Sequence, residues 1–311
     1  MAIDREHFVF IPGLKDGGKP LVDFRTIPLR AVLKLDKLPA LPAGWDAHEA
    51  VGGVIDNNMF GNDEYGCCVI AAVAHETLTF EVFEQDILIP ITTKEVVDEY
   101  FRQSHGRDTG LLLTSAMKEW RNTGWIAGGK HYNIHAFAGV EPRDHTQVKY
   151  SIFLFNGIIF GMLVFSTDID QFRKGEPWHL TPHNGAFEGG HGVYGFRYYD
   201  EDSISFYLKP GEVPHGQGTG YANFPLFSKI LSWNEKGLWC ITWGEEQFMT
   251  WDFWDARVNQ SFAIIDNRNK WLDPKKSSLN LPLLSEQLEL VTGQKQTPVC
   301  KISETIRGIF H

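Results

Sequence analysis

Cys68 and His191 are the two residues of this chain whose types and surroundings best suit nucleophilic catalysis. Cys68 stands in GNDEYGCCVIAAVAHE, where a glycine-bearing loop leads into an apolar segment that predicts a helix. Unpaired N–H groups at a helix N-terminus stabilise negative charge, so we expect a lowered pKa for this thiol. His191 stands in GAFEGGHGVYGFRYYD, at the start of a predicted strand. The two glycines before it would let another segment approach the imidazole closely.

Both residues also have a plain structural interpretation. A cysteine among alanines and valines is most often a small buried hydrophobe, and a histidine after glycines can serve a turn alone. The pair gains catalytic meaning only if the fold brings the two side chains together. Of the other cysteines, Cys67 would line a cleft beside Cys68 or act as a small buried residue, while Cys240 fits a core strand and Cys300 an exposed tail.

The first half of the chain predicts helices that would carry the thiol. The segment CVIAAVAHETLTFEVFE, from Cys68 to about Glu84, has few helix breakers and a broad apolar face. Thr92 and Glu95 have the spacing of a capping box ahead of VVDEYFRQ, and a further helix is predicted from about Thr114 to Asn122.

The second half predicts strands that would carry the imidazole. Its β-branched and aromatic stretches, among them GIIFGMLVF, HGVYGFRYYD, LWCITWG and SFAIID, are separated by Gly, Pro and Asp. We therefore divide the chain into four parts: an extended N-terminal arm (1–40), a mainly helical lobe with the nucleophile helix (41–132), a mainly β lobe with the histidine strand and an insertion near 202–236 (133–270), and a C-terminal helix and tail (271–311).

Composition and charge exclude several classes of protein. A chain of 311 residues with 43% hydrophobic content can bury a substantial core, which rules out a disordered chain. Its 29 Lys and Arg against 39 Asp and Glu give a formal charge of −10, which disfavours nucleic acid and anionic membranes as partners. Neither a signal peptide nor a transmembrane run is evident. We expect a soluble protein, cytoplasmic or exported without a cleaved signal, and leave its oligomeric state open.

The 12 histidines form no recognisable metal motif. His131 and His135, and likewise His179 and His183, are four residues apart, a spacing that chelates a metal from one helix face. Pro182 and nearby glycines disfavour helices at both places. Since CxxC and HExxH are also absent from the sequence, we expect no metal and no other cofactor.

From about Leu41 to Asp266 the order of these motifs resembles the papain-like cysteine peptidases. LPAGWD and a Gly-x-Cys helix start resemble the beginning of the mature enzymes, and GGHGVYGFRYYD resembles their histidine strand. The resemblance implies a two-lobed α+β fold, with a helical left lobe that carries the cysteine helix and an antiparallel, β-barrel-like right lobe. Several of these motifs also resemble a group of uncharacterised bacterial and phage proteins, which implies no activity.

The same resemblance implies roles for individual residues. Cys68 takes the nucleophile position and His191 the base position, and Asn62 stands where the family has the glutamine of its oxyanion hole. The residues that it places along the substrate cleft are Gly66, Cys67, Gly110, Gly190 and Trp243. Trp243 would also shield the histidine.

One family residue, the asparagine that orients the base, is missing. Aligning the Trp-Gly pairs puts Ile241 at its position, and isoleucine has no acceptor for the imidazole N–H. Thr242 could serve after a one-residue shift, although such a shift normally turns a strand residue to the opposite face. Asn234 is a weaker substitute because it lies outside the Trp-Gly alignment. The insertion near 202–236, where the family has a tight hairpin, would border the cleft as a lid, specificity loop or partner surface.

Three functions stay open on the sequence. The first is a papain-like cysteine hydrolase that cleaves peptide or isopeptide amide bonds in a peptide or protein substrate. The second is a papain-fold protein without catalysis that binds or builds a phage or secretion assembly, which the missing asparagine favours. The third is another Cys–His enzyme, an acyltransferase or amidase. Retention of both Cys68 and His191 favours the first function over simple loss of activity.

Overall fold

The computed structural model describes residues 26–34, 38–200, 236–266 and 281–292. Helices dominate the region before residue 123, and a large sheet dominates the region after it. The helices are α1 (Leu29–Val32), α2 (Ala47–Ala50), α3 (Cys68–Gln85), α4 (Thr93–Gln103), α5 (Leu113–Asn122), α6 (His145–Phe155), α7 (Ser166–Arg173), α8 (Trp251–Arg257) and α9 (Leu281–Thr292).

Eight of the strands in the described residues form one sheet. The strands are β1 (Ile27–Pro28), β2 (Gly44–Asp46), β3 (Trp125–Ala127), β4 (Lys130–Tyr132), β5 (Ile134–Val140), β6 (Ile158–Phe165), β7 (Phe187–Tyr199), β8 (Gly237–Thr242), β9 (Glu245–Thr250) and β10 (Val258–Asp266). The sheet order is β1-β5-β10-β6-β7-β8-β9, with β2 pairing to β7. The β1–β5 pair is parallel and the other pairs are antiparallel, and β3 and β4 form a separate hairpin.

Helix α3 is the buried helix on which the site depends. Most of its side chains are apolar, and Val69, Ile70, Val73 and Ala74 are all buried. A helix with apolar residues on every side is stable only when it is covered on every side, and α3 packs between the other helices and β7. It ends at Asp86, a left-handed residue whose N–H bonds back to the last turn.

Helix α4 begins as its sequence predicts. The Thr92 side chain accepts the N–H of Glu95 at 3.2 Å, and the Glu95 carboxylate accepts the N–H of Thr92 at 2.8 Å, which completes the capping box. The bounds of α3 and α5 lie within one residue of the predicted ones. Local signals therefore locate the helices that surround the site.

The α+β fold class is confirmed, with one difference in the β region. Within the described residues the sheet is open, because β1 and β9 at its two ends do not pair with each other, and no closed barrel forms. Most of the arm at 1–40, nearly all of the insertion near 202–236, and Asn234 and Cys300 lie outside the described residues. The four-part division of the chain stays a prediction.

Candidate active site

Cys68 is the first residue of α3, and Cys67 is the N-cap. The turn from Met59 to Gly66 leads into it, with internal backbone bonds from Asn62 to Met59 at 3.1 Å and from Tyr65 to Gly61 at 2.9 Å. The first N–H groups of a helix have no partner within the helix and can therefore donate to an anion. The Cys68 residue is 5% exposed.

Gly192 brings the histidine strand against the start of this helix. Its N–H donates to Cys68 Sγ at 3.3 Å, although the two residues are 124 positions apart. A Cβ at position 192 would lie 2.8 Å from the Val69 side chain and 3.1 Å from its Cα. Only glycine lets β7 approach α3 this closely. The sequence predicts a close approach at the two glycines before His191, and the structure shows one at Gly192, which follows it.

His191, next to Gly192 on β7, is 2% exposed and held on two sides. Its Nε2 lies 2.8 Å from Thr242 Oγ1, and its ring stacks on Trp243 with ring centroids 4.6 Å apart. Within the described residues, Nδ1 has no hydrogen-bond partner. The imidazole is thus oriented through Nε2, whereas Nδ1 makes no hydrogen bond with the Cys68 thiol in this structure.

Strand pairing explains why Thr242, rather than Ile241, contacts the imidazole. Ile241 lies opposite Tyr194 across the β7–β8 pair, and directly opposed residues point to the same face of a sheet. Successive residues of a strand alternate between faces, so Tyr194 and His191 point to opposite faces. Thr242 therefore points to the His191 face. Thr242, the alternative predicted after a one-residue shift, is thus the residue that contacts the imidazole, and Ile241 points to the other face.

Trp243 completes the hairpin that holds this face. Trp243 and Gly244 form the two-residue turn between β8 and β9, with φ values of 46° and 72°. Positive φ at both positions is typical of the type I′ turn that suits a twisted hairpin. The Trp243 ring also meets Phe172 and Trp178 edge-on, at 4.8 and 6.0 Å. The histidine is therefore backed by packed aromatic rings.

Burial sets the protonation of the pair. It raises the pKa of Cys68 to about 11, against smaller opposing effects of the N–H groups of Gly192, Val69 and Cys68 itself. It lowers the pKa of His191 to about 3. Both groups are therefore neutral near pH 7. The expected lowering of the Cys68 pKa is wrong, because loss of solvent outweighs the helix N-terminus.

The remaining predicted site residues lie in three places. Asn62 is half-buried in the turn before α3, and Gly66 is buried at the end of that turn. Cys67 is fully buried, and its S–H donates to the Phe60 carbonyl at 3.4 Å. Burial raises the pKa of the Cys67 thiol. Gly190 is buried on β7, opposite Leu163 of β6.

Gly110, the third predicted cleft glycine, belongs to a set of contacts that the sequence did not predict. Its N–H donates to the Tyr100 hydroxyl at 3.0 Å, and that hydroxyl donates to Asp108 Oδ1 at 2.7 Å. The same carboxylate oxygen accepts the N–H of Gly66 at 2.9 Å. The one local signal was an aspartate two residues before a predicted cleft glycine.

The predicted histidine pairs show no metal geometry. His131 Nε2 lies 2.6 Å from the Thr123 carbonyl, and His179 Nδ1 lies 2.9 Å from that of Pro177. In the described ranges no three His, Cys, Asp or Glu residues group in a way that would hold a metal ion. Among the same residues, no helix has both the length and the apolar character needed to cross a bilayer.

Comparison with solved structures identifies the fold. Xylellain, a cysteine protease from Xylella fastidiosa, superposes with a TM-score of 0.56 at 14% identity, over 82% of this chain and 98% of the other. A mite allergen structure from work on Blo t 1 and Der p 1 gives 0.53 at 13% identity, over 85% and 82% of the two chains. Procathepsin B S9 from Trypanosoma congolense gives 0.52 at 10%, over 84% and 89%.

Sequence comparison adds no relative. No protein-family model matches the chain. No curated protein matches it either. The likeness is thus one of structure at low identity, and it concerns the fold alone. On the superpositions above, the chain has the α+β fold of the papain-like cysteine proteases.

Proposed function

We propose that this protein is a cysteine hydrolase of the papain type that cleaves peptide or isopeptide amide bonds. The observation that carries the proposal is the contact of the Gly192 N–H with Cys68 Sγ, which puts a thiol at a helix N-terminus beside the strand that bears His191. The solved cysteine proteases with this fold support the same reaction class.

The protonation states favour general-base activation over a preformed ion pair. Because burial keeps both the Cys68 thiol and the His191 imidazole neutral, the thiol proton passes to Nδ1 as the sulfur attacks the carbonyl carbon. This requires the tautomer in which Nε2–H donates to Thr242 Oγ1. The imidazolium then protonates the leaving amine, and water hydrolyses the thioester.

Negative charge on the tetrahedral oxygen needs donors at the start of α3. We assign this role to the N–H of Cys68 and the side-chain amide of Asn62, which lie at the start of the helix and in the turn before it. Loss of one such donor typically costs about 2.7 to 4 kcal/mol of transition-state stabilisation. Gly66, Gly110 and Gly190 would line the cleft around this centre.

A peptide-library digestion tests the proposal directly. We expect the wild type to release new amino termini, and Cys68→Ala and His191→Ala to release none above background. Iodoacetamide alkylation of Cys68, followed by mass spectrometry, gives a second readout that needs no substrate. Alkylation should slow in His191→Ala. A wild type that cleaves nothing, with Cys68 alkylated equally fast in both proteins, would refute the assignment.

One observation favours a second function, in which the papain-like fold binds a partner without catalysis. Cys68 and His191 are 5% and 2% exposed, so a substrate reaches the thiol only after the groups around it move. The outcome of the digestion separates the two functions. Acyl transfer, the third possibility, would give an amide with an added amine such as glycine ethyl ester in place of the free acid.

A further inference from the structure

We propose that Asp108 is a positioning residue for the reaction, acting with Tyr100 to fix the turn that carries Asn62 and leads into Cys68. This inference rests on the proposed hydrolase function. It concerns two residues that contact neither the sulfur nor the imidazole, and it names what holds the oxyanion donors in place.

Three hydrogen bonds in series connect the segments around the cleft. The Gly110 N–H donates to the Tyr100 hydroxyl at 3.0 Å, and this hydroxyl donates to Asp108 Oδ1 at 2.7 Å. The same oxygen accepts the Gly66 N–H at 2.9 Å, from a residue 42 positions away in the chain. Tyr100 itself is fully buried on α4. The buried Tyr100 hydroxyl thus holds the Asp108 carboxylate in place, and this carboxylate holds the turn through Gly66.

The position of Gly66 explains why its bond to Asp108 would affect the oxyanion donors. Gly66 lies between Asn62 and Cys68, the two proposed donors, and its peptide N–H is held by a charged acceptor. Hydrogen bonds with a charged partner are shorter and stronger than neutral ones. The backbone bonds of the turn itself, such as Glu64 to Gly61 at 3.1 Å, fix its shape but not its place on the protein.

Two apolar contacts share the task of placing the turn. A Cβ at Gly61 would lie 2.7 Å from the Val97 side chain, and the Tyr65 ring meets Phe101 edge-on at 5.3 Å. Both contacts are with α4, the helix that bears Tyr100. Apolar contacts tolerate small shifts, whereas the bond from Asp108 sets the direction of one peptide group. Small errors in donor position are costly in catalysis.

The test compares reactions that do and do not need the oxyanion donors. On a peptide that the wild type cleaves, Asp108→Ala should lower kcat by about tenfold or more, less than the loss of a whole donor, with little change in KM. Inhibition by the aldehyde of the same peptide should weaken in parallel, because its adduct also places an oxygen in the oxyanion hole. Alkylation of Cys68 by iodoacetamide develops no oxyanion and should keep its wild-type rate.

Two further variants separate positioning from a loss of folding. Asp108→Asn keeps an oxygen acceptor for the Gly66 N–H and should recover most of the lost kcat. Tyr100→Phe removes the hydroxyl that links Gly110 to Asp108 and should also lower kcat. In the double variant, Tyr100→Phe should lower kcat little beyond the effect of Asp108→Ala, because both changes act through one set of hydrogen bonds. Tyr100→Phe thus carries the test if Asp108→Ala does not fold.

The failures of the two proposals look different. A wild type without peptide cleavage and without His191-dependent alkylation refutes the hydrolase, and this inference with it. A wild type that cleaves peptides, with Asp108→Ala and Tyr100→Phe at unchanged kcat, leaves the hydrolase in place and overturns the positioning role. An equal loss of cleavage and of alkylation in these variants also overturns it, since that pattern reports general disruption.

Discussion

His191, whose neighbour Gly192 contacts Cys68, and the turn that leads into Cys68 are held in place by different kinds of contact. His191 lies within a 13-residue strand, stacks on Trp243 at 4.6 Å, and is oriented by Thr242 at 2.8 Å. The turn before α3 has no strand partner among the described residues. It is placed by the bond from Gly66 to Asp108 and by contacts with α4.

If the protein is the proposed hydrolase, this difference should separate effects on stability from effects on turnover in the two regions. Packing around the histidine consists of large buried rings, so changes there should reduce the free energy of unfolding. The turn depends on a few polar bonds near the surface, where Asp108 is exposed, so changes there should affect turnover more than stability. Four variants or conditions test this contrast.

Trp243→Ala should give the largest effect. Trp243 is 3% exposed and contacts His191, Phe172 and Trp178. Truncating a buried tryptophan costs about 3 to 5 kcal/mol, because apolar contacts are lost and a cavity stays behind. Urea unfolding at neutral pH measures the loss. Trp243→Phe, which retains a ring for the histidine, should lose much less, and a loss below about 1 kcal/mol for the alanine variant would contradict the packing role.

Acid should reduce stability through His191. Its pKa is about 3 in the folded protein and about 6.5 when unfolded, so only the unfolded chain binds the proton between these values. Stability from this group is complete above pH 6.5 and falls as the pH drops towards 3. From pH 7 to pH 5 the loss should be about 2 kcal/mol.

His191→Asn provides the matched control for that titration. Urea unfolding of the two proteins at pH 5, 6 and 7 should give a wild-type curve that declines more steeply than the variant curve. Subtracting the curves removes the carboxyl groups that titrate in both proteins. Parallel curves would show that His191 has an ordinary pKa in the folded state and would contradict the neutral, buried imidazole. A wild-type curve that declines less steeply than the variant curve would indicate a raised pKa and an ion pair.

Local signals in the sequence were enough for the helices and for singling out Cys68 and His191, whose segments the structure brings together. The capping box of Thr92 and Glu95 and the start of α3 depend on neighbours within a few positions. The pKa of Cys68 was predicted in the wrong direction because its burial depends on how β7 packs on α3. Asp108 was missed for a similar reason, since Gly66 becomes its partner only in the folded chain.

Thr242→Val should lower kcat by about tenfold, equivalent to about 1.4 kcal/mol. Valine has nearly the shape of threonine but offers no acceptor to Nε2, so the imidazole loses its fixed tautomer while the packing remains. Thr242→Ser keeps the hydroxyl and should retain most of the activity. Steady-state kinetics on one cleaved peptide compares the two. A valine variant as active as the serine variant would remove Thr242 from the mechanism.

Tyr65→Ala should give the smallest change in stability and so sharpens the contrast with Trp243. Tyr65 is half-buried, and its edge-on contact with Phe101 is worth about 0.5 to 1.5 kcal/mol beyond area burial. Since the turn also carries Asn62, this small loss should come with a clear decrease in kcat. Unfolding and turnover are measured on the same preparation. A stability loss as large as that of Trp243→Ala would show that the turn, like the histidine strand, is held by packing.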